Sequence, residues 1–357
     1  MTESVKNIES LSLFFTAGVA VGTFLITVSP GLLLPILALP FLLQRRMLRW
    51  PEELSVSLLL ATFLLLGIFC ARNAALPVAD EPSFLETLAA DAVGRLRGVI
   101  CSIPFPSEGT APLLNALLTG DRSGLSAQTV AVFRGSGASH ILALSGLHMG
   151  ILYLIFDALT KGLGNAPAAR VVRYVLILGA ALFFTLMTGA GPSIVRAFLF
   201  IGLNETLRLL NRPRKGTRVF CVALLIQLTL NPGVIGSLGF QLSYLAMAGI
   251  FLLYPVLERC YPEGSRFNPL RWIWKSAALA ISCQTFTAPL AWLRFHTFPR
   301  FFLLTNLMAL PLTSALMGTA VATVALSAVH LCPHFLITIT DGLGRLLVWI
   351  LEIISSM

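Results

Sequence analysis

The chain has 357 residues, of which 56% are hydrophobic and only 11% charged, with a formal net charge of +9 at neutral pH. Its mean hydropathy is +0.85. A soluble domain carries roughly 25% charged residues, so this composition leaves too little polar surface to face water and predicts an all-α polytopic membrane protein.

In chain order, the apolar runs Leu11–Val28, Leu32–Leu43 and Leu54–Ala71 read as amino-terminal transmembrane helices over residues 1–71. The first is no obvious signal peptide, because Lys6 is the only base near it and Pro30 and a second apolar run follow at once. Residues 84–139 read differently, as interfacial amphipathic helices and a loop. Phe84–Ile103 places Leu85, Leu88, Ala89, Ala92, Leu96 and Val99 on one helical face, with Asp91, Arg95 and Arg97 elsewhere. After Pro104 and Pro106, "PLLNALLTGDRSGLSAQTVAVFRGSG" reads as a helix, a Gly-Asp turn, a second helix capped at Ser126, and a glycine break.

The segment 140–357 carries the remaining runs, expected to form a transmembrane core. They are Ile141–Leu159, Val171–Thr188, Ser193–Leu210, Val219–Leu230, Leu238–Leu257, Ala277–Leu293, Phe301–Ala328 and Phe335–Ile354. A spanning helix needs about 20 apolar residues, so the short runs Leu32–Leu43 and Val219–Leu230 predict re-entrant or tilted segments, and about 9–11 crossings in all. The basic stretches "QRRMLRW" (44–50), "RLLNRPRKGTR" (208–218) and "RCYPEGSRFNPLRWIWK" (259–275) fall on one side if every run crosses once. The bias of short loops toward Lys and Arg makes that side cytoplasmic, with the amino terminus inside and the carboxyl terminus outside. Most of the positive net charge is this bias. Arg72, Arg95, Arg97, Arg122, Arg134, Arg294 and Arg300 then lie outside, where they suit an anionic substrate arriving from that side.

Several chemistries find no support. The six cysteines form no CxxC pair. No GxxxxGK[ST] phosphate loop occurs, so the chain does not drive itself with ATP. In "HLCPH" (330–334) the histidines are four apart, but Pro333 lies between them and no carboxylate is near, so no metal or other cofactor is expected.

Polar groups inside apolar runs are costly and therefore informative. "SHILALSGLHMGILYLIF" (139–156) carries His140, Ser145, Gly146 and His148. Read as one helix descending from the outer face, it places His148 roughly 12 Å deeper than His140. In "GPSIVRA", Pro192 suits a first turn, and Arg196 one turn later adds its charge to the positive helix end. Gln241 and Ser243 in "GFQLSYLA" fall in the outer half of their helix. These three regions are expected to converge on one hydrated, externally open cavity, with Asp121, Arg122 and Arg134 at its mouth. The plain alternatives are hydrogen bonding between helices and a snorkelling Arg196. Asp341 with Arg345, and Glu205 with Arg208, are expected to neutralise one another.

The stretch "ALLTGDRSGLSAQTVAVFRGSGASHILALSGLHMGILYLIF" (116–156) resembles the signature of the ComEC-type competence protein family. "TGAGPSIVRAFLF" (188–200), "LNPGVIGSLGFQLSYLAMAGIFLLYP" (230–255) and "SCQTFTAPLAWLRFHTFPRFFLLTNLMALPL" (282–312) match in the same order, over roughly residues 85–330. The resemblance implies a multi-pass protein of the bacterial inner membrane that imports single-stranded DNA during natural transformation. It also implies membrane lipid and a separate DNA receptor, nuclease and cytoplasmic motor as partners. Family members commonly carry an OB-like domain, for which Arg72–Ser83 is too short, and a metallo-β-lactamase-like domain, whose HxHxDH cluster does not occur here. The expectation is a permease core that is not an enzyme. Two alternatives remain: a transporter of another anion, such as a nucleotide or polyphosphate, and a rhomboid-like intramembrane serine protease suggested by "ALSG" (143–146). The protease needs a histidine base aimed at Ser145. On a continuous helix His148 is not placed for that, and His296 lies at a membrane end.

Overall fold

In the computed structural model, residues 3–24, 52–73, 84–164, 166–261, 269–296 and 300–357 are described. The run Leu32–Leu43 and the basic stretch 44–50 lie outside them. The described residues are helical, without a strand. In chain order the helices are α1 (Glu3–Phe24), α2 (Glu52–Asn73), α3 (Phe84–Ser102), α4 (Thr110–Thr119), α5 (Ala127–Gly135), α6 (Ser139–Leu142), α7 (Gly146–Thr160) and α8 (Pro167–Met187). There follow α9 (Pro192–Leu209), α10 (Gly216–Leu230), α11 (Leu238–Leu252), α12 (Tyr254–Arg259), α13 (Pro269–Phe295), α14 (Phe302–Ala328) and α15 (His334–Ser356). Pro167–Met187, Leu238–Arg259 and Phe302–Ala328 are long and apolar enough to cross a membrane.

The described chain divides into two compact units, which cut it differently from the three consecutive segments the sequence suggests. One unit comprises Met1–Glu81 and Leu199–Gln241, the other Pro82–Phe198 and Leu242–Met357. In the first, α1 packs on α2 and α10. Backbones approach closely there because glycines face carbonyls: a Cβ on Gly18 would strike the Leu64 carbonyl, and one on Gly67 the Phe15 carbonyl. Gly18 and Gly22 form a GxxxG spacing, the small-residue device that brings helices together where lipid removes the hydrophobic drive. Glu205 and Arg208 pair at 3.4 Å in this unit, as the sequence suggests.

The second unit has a core to which Ile100 of α3, Leu113 and Leu117 of α4, Phe133 of α5, Ile141 of α6, Met317 of α14 and Leu347 of α15 contribute. The expected turn chemistry holds. α4 ends at Gly120 with φ +81°, which lets its N–H reach the Ala116 carbonyl, and Ser126 caps α5 by accepting from Thr129 N–H at 3.0 Å. Thr305 Oγ1 donates to the Ser136 carbonyl at 2.7 Å, and the Thr323 and Thr340 hydroxyls meet at 2.9 Å. These bonds tie α14 to the end of α5 and to α15. Pro289 lies inside α13 and Pro311 inside α14, both within helices that continue past them.

Two runs depart from their expected form. Leu238–Leu257 is interrupted at Leu253, where Pro255 withholds a backbone donor at the start of α12. Ile141–Leu159 is not one helix: helical backbone stops at Leu142 and resumes at Gly146. Along α3, Ala89 and Ile100 are buried as the amphipathic pattern requires, whereas Leu85 and Leu88 near its start are 53% and 48% exposed.

Candidate functional site

The break at residues 143–145 follows from what serine does best near a helix start. Ser145 is extended (φ −133°, ψ 172°), and its hydroxyl accepts from Leu147 N–H at 3.3 Å, which makes it the N-cap of α7. His148 completes the cap. Its Nδ1 accepts from the Ser145 backbone N–H at 3.3 Å and lies 3.1 Å from Ser145 Oγ. With Nδ1 accepting, the ring proton belongs on Nε2, which is buried and has no hydrogen-bond partner among the described residues.

This corrects the continuous polar stripe. His140 ends up on the separate short helix α6, exposed, with Nδ1 3.1 Å from the Gly137 carbonyl. The extended residues Ala143 and Ser145 between the helices remove the common axis along which His140 and His148 were to be aligned. The same break alters the geometry behind the protease alternative, since Ser145 and His148 now lie within hydrogen-bond range.

Arg196 is the group that gathers the predicted residues. One turn into α9, it donates from Nη1 to the Ser243 carbonyl at 2.5 Å. Its Nη2 lies so close to the start of α7 that a Cβ on Gly146 would be 2.9 Å away. Gly146, Arg196 and Ser243 therefore meet, although 97 positions separate the first from the last in sequence. Ser243 takes part through its backbone carbonyl rather than its hydroxyl. Arg196 makes no ion pair among the described residues. Tyr244 and Cys283, side chains ordinarily neutral at pH 7, are ionisable neighbours of Arg196 among the described residues. A cation beside the positive ends of α7 and α9, with no ion-paired carboxylate among the described residues, is an arrangement ready for an anion.

The remaining candidates are spread out. Gln241 donates from Nε2 to the Ile235 carbonyl at 2.7 Å, so its amide braces the preceding turn. Arg122 donates from Nε to the Leu142 carbonyl at 3.1 Å, tying the 120–126 turn to the end of α6. Asp121 pairs with Arg97 at 3.1 Å. The N–H and hydroxyl of Ser123, with a smaller pull from Arg97, hold the Asp121 carboxyl below its ordinary range. Arg134 is exposed in the last turn of α5. Arg122 and Asp121 are thus structural fasteners as well as surface charges. His330 and His334 stand on either side of the turn from α14 to α15.

Some polar groups were not foreseen. Asp157 of α7 pairs with Arg173 of α8 and, at 3.5 Å, with Lys161. The presence of Asp157 and Arg173 inside apolar runs was the available signal. Asp341 does pair with Arg345, at 3.1 Å, but the pair is only part of its role. The carboxylate is fully buried and also accepts from Ser107 N–H at 3.2 Å, Ser107 Oγ at 3.1 Å and Thr110 Oγ1 at 2.6 Å. Beside it opens a cavity of about 200 Å³ between the start of α4 and α15. None of Ser145, Gly146, His148 or Arg196 lines that cavity, and the contact at Arg196 is a packed one.

Comparison with known proteins places these blocks. The chain is 25% identical over 225 residues to ComE operon protein 3 of Bacillus subtilis, covering 62% of this chain and 27% of that protein. It is 25% identical over 212 residues to recombination protein 2 of Haemophilus influenzae, covering 57% and 27%. Against competence protein ComA of Neisseria gonorrhoeae the identity is 28% over 174 residues, covering 47% and 25%. The chain thus spans about a quarter of the length of the curated relatives it matches. No solved structure matches it. The family model described as "Competence protein" matches residues 117–357, a span that begins in α4 and contains the Ser145 cap, Arg196 and Ser243. With well over half of its 357 residues matched, the chain belongs to the ComEC-type competence protein family.

Proposed function

We propose that this chain is the permease core of a DNA-uptake system, an inner-membrane channel that passes single-stranded DNA and is not itself an enzyme. Family membership supports a role in DNA uptake. The observation that carries the channel reading is Arg196, a cation without an ion-pair partner among the described residues, held against the start of α7 and the Ser243 carbonyl. A strand crossing an apolar layer needs fixed positive charge for its phosphates, and contacts to phosphate without base readout make passage sequence-tolerant and salt-sensitive. On this reading the chain spans the membrane about 9–11 times with its amino terminus inside. A separate receptor delivers the strand, a nuclease prepares it, and a cytoplasmic motor supplies the energy.

The test is reconstitution in liposomes, measuring fluorescent oligothymidylate that becomes protected from external nuclease. Arg196→Ala should lower protection at least tenfold at equal protein content, with Arg196→Lys in between. Equal protection by Arg196→Ala and wild type would overturn the reading. So would equal protection of a nucleotide or polyphosphate in place of DNA, in favour of an anion transporter.

The 3.1 Å approach of Ser145 Oγ to His148 Nδ1 favours a second reading, a serine hydrolase. Against it, the same atoms form the helix cap, and among the described residues no carboxylate bonds His148 Nε2 to orient the ring. Labelling by a fluorophosphonate that disappears in Ser145→Ala would support the hydrolase.

A further inference from the structure

Positive charge collects at the turn from α9 to α10. From Glu205 to Arg218 the chain carries five cations and one carboxylate. Glu205 pairs with Arg208, which leaves Arg212, Arg214, Lys215 and Arg218. None of these four makes an ion pair among the described residues.

The backbone holds that charge on a short, fixed connection. Asn211 is left-handed (φ +52°), its N–H donates to the Arg208 carbonyl at 3.1 Å, and Arg212 N–H donates to the Leu207 carbonyl at 2.8 Å. This paired ending engages the last carbonyls of α9, and Pro213 then fixes its own φ. Arg212, Arg214 and Lys215 are exposed, with Leu210 61% exposed beside them. Lys215 precedes α10 without a side-chain cap, so the helix start adds its positive end to the same turn. Arg218, in the first turn of α10, is half-buried, and its Nε is buried with no hydrogen-bond partner among the described residues. Buried donors are nearly always paired, so this one points to an acceptor that the described residues do not supply. The bias of short loops toward Lys and Arg explains the sign of the turn. It does not explain a donor kept away from water.

Arginines grouped in this way suit phosphate, which their planar donors can grip in pairs. Two carriers of phosphate could meet this turn, a nucleic-acid strand or a lipid. A single strand is held by aromatic stacking as well as by charge, and residues 205–219 contain no aromatic side chain. Leu210, by contrast, closes the apolar run Ser193–Leu210 and stands exposed next to the cations. Basic side chains that directly follow such a run at the cytoplasmic face fit an anionic lipid.

We propose that the 210–218 turn binds the phosphate of an anionic phospholipid, with Arg212, Arg214, Lys215 and Arg218 as donors and the acyl chains toward Leu210. The inference rests on the membrane reading above. Such a lipid would fasten the α9–α10 hairpin to the inner leaflet.

The test holds the full chain in nanodiscs of equimolar phosphatidylglycerol and phosphatidylcholine and counts retained lipid by native mass spectrometry. Phosphatidylglycerol should be retained at least tenfold over phosphatidylcholine. Arg214→Gln with Lys215→Gln, at two exposed positions, should lower its affinity about tenfold at an unchanged thermal midpoint. Arg170→Gln with Arg259→Gln removes the same charge from exposed positions elsewhere and should cost less than about twofold. Arg218→Lys keeps the charge but loses the Nε donor, and should weaken retention about threefold. Equal retention of the two lipids by the wild type, or unchanged affinity in the 214/215 pair or in Arg218→Lys, overturns the proposal. An equal loss in the 170/259 pair does so too, since it would reduce the binding to general charge attraction. Equally tight binding of soluble glycerophosphoglycerol would make the ligand a free phosphate and overturn the lipid assignment. Displacement of the retained lipid by oligothymidylate would make the turn a strand site instead. If the chain fails to enter bilayers at all, the membrane reading fails with it. Normal insertion and DNA protection with no lipid preference would sink only this inference.

Discussion

Replacing Gly146 by alanine tests the candidate site with a single methyl group. That carbon would lie 2.9 Å from Arg196 Nη2 and 3.7 Å from the Ala197 Cβ. Comfortable contact needs about 3.5 Å, so the guanidinium must withdraw by roughly half an ångström. The backbone need not move, because the obstructing atom is the tip of a flexible side chain. Alanine in place of glycine in the first helical turn also favours α7, by up to about 1 kcal/mol. The withdrawal instead disturbs the 2.5 Å bond from Nη1 to the Ser243 carbonyl. Hydrogen bonds from charged donors are worth about 1.5–3 kcal/mol. Losing half of the upper figure, about 1.5 kcal/mol, from the bond that holds the guanidinium in place is roughly a tenfold change in the population placed to meet phosphate. Gly146→Ala should therefore lower oligonucleotide protection in liposomes about tenfold, with a thermal midpoint equal to or above that of the wild type. In the Arg196→Ala background the same substitution should add nothing. Full activity of Gly146→Ala, or an effect additive with Arg196→Ala, would refute the reasoning.

The topology is tested by single cysteines at exposed positions in a cysteine-free background: Ala127→Cys should react with an impermeant maleimide in intact cells and Arg214→Cys should not, and the reverse pattern inverts the orientation. Asp341→Ala strands the buried Thr110 hydroxyl, at about 1–3 kcal/mol for a buried group left unpaired, and releases the half-buried Ser107. Its thermal midpoint should fall and the 104–109 connection should become sensitive to protease, whereas wild-type resistance would show that the carboxylate is dispensable. Gly249→Leu should separate α11 from α13, because even a Cβ there meets the Ser282 carbonyl; normal folding yields would contradict that packing. The lowered pKa of Asp121 means that its contribution to the 120–126 turn is complete above about pH 4, its ordinary value. It is lost as pH falls below that, through the depressed folded-state value. The stability gap between wild type and Asp121→Asn should thus be present at pH 7 and close under acid, and a gap unchanged at pH 3 would remove the carboxylate from the account.

Much of the local structure was legible in residue types. The Gly120 turn, the Ser126 cap and the start of α9 at Pro192 each depend on a few neighbouring residues, so their chemistry needed no distant partner. Ser145 was legible in principle by the same logic, since a serine before Gly-Leu-His is a good N-cap. The apolar residues around it concealed the break, because hydropathy cannot distinguish one helix from two consecutive ones. The pairs Asp341–Arg345 and Glu205–Arg208 follow from helical spacing alone. Asp157–Arg173 does not, because it joins two helices.

Composition by itself determined the apolar, helical character of the chain, and four ordered blocks of sequence determined its family. Both are carried by residue identity along one dimension. Only the tertiary structure decided which polar groups share a place. It set Arg196 between Gly146 and Ser243, turned Gln241 back on its own turn, and buried Asp341 where Ser107, Thr110 and Arg345 meet. Those outcomes depend on which helices pack together and on how a long side chain such as arginine turns toward a carbonyl across the interface, and neither is encoded in the spacing of residues along a single helix.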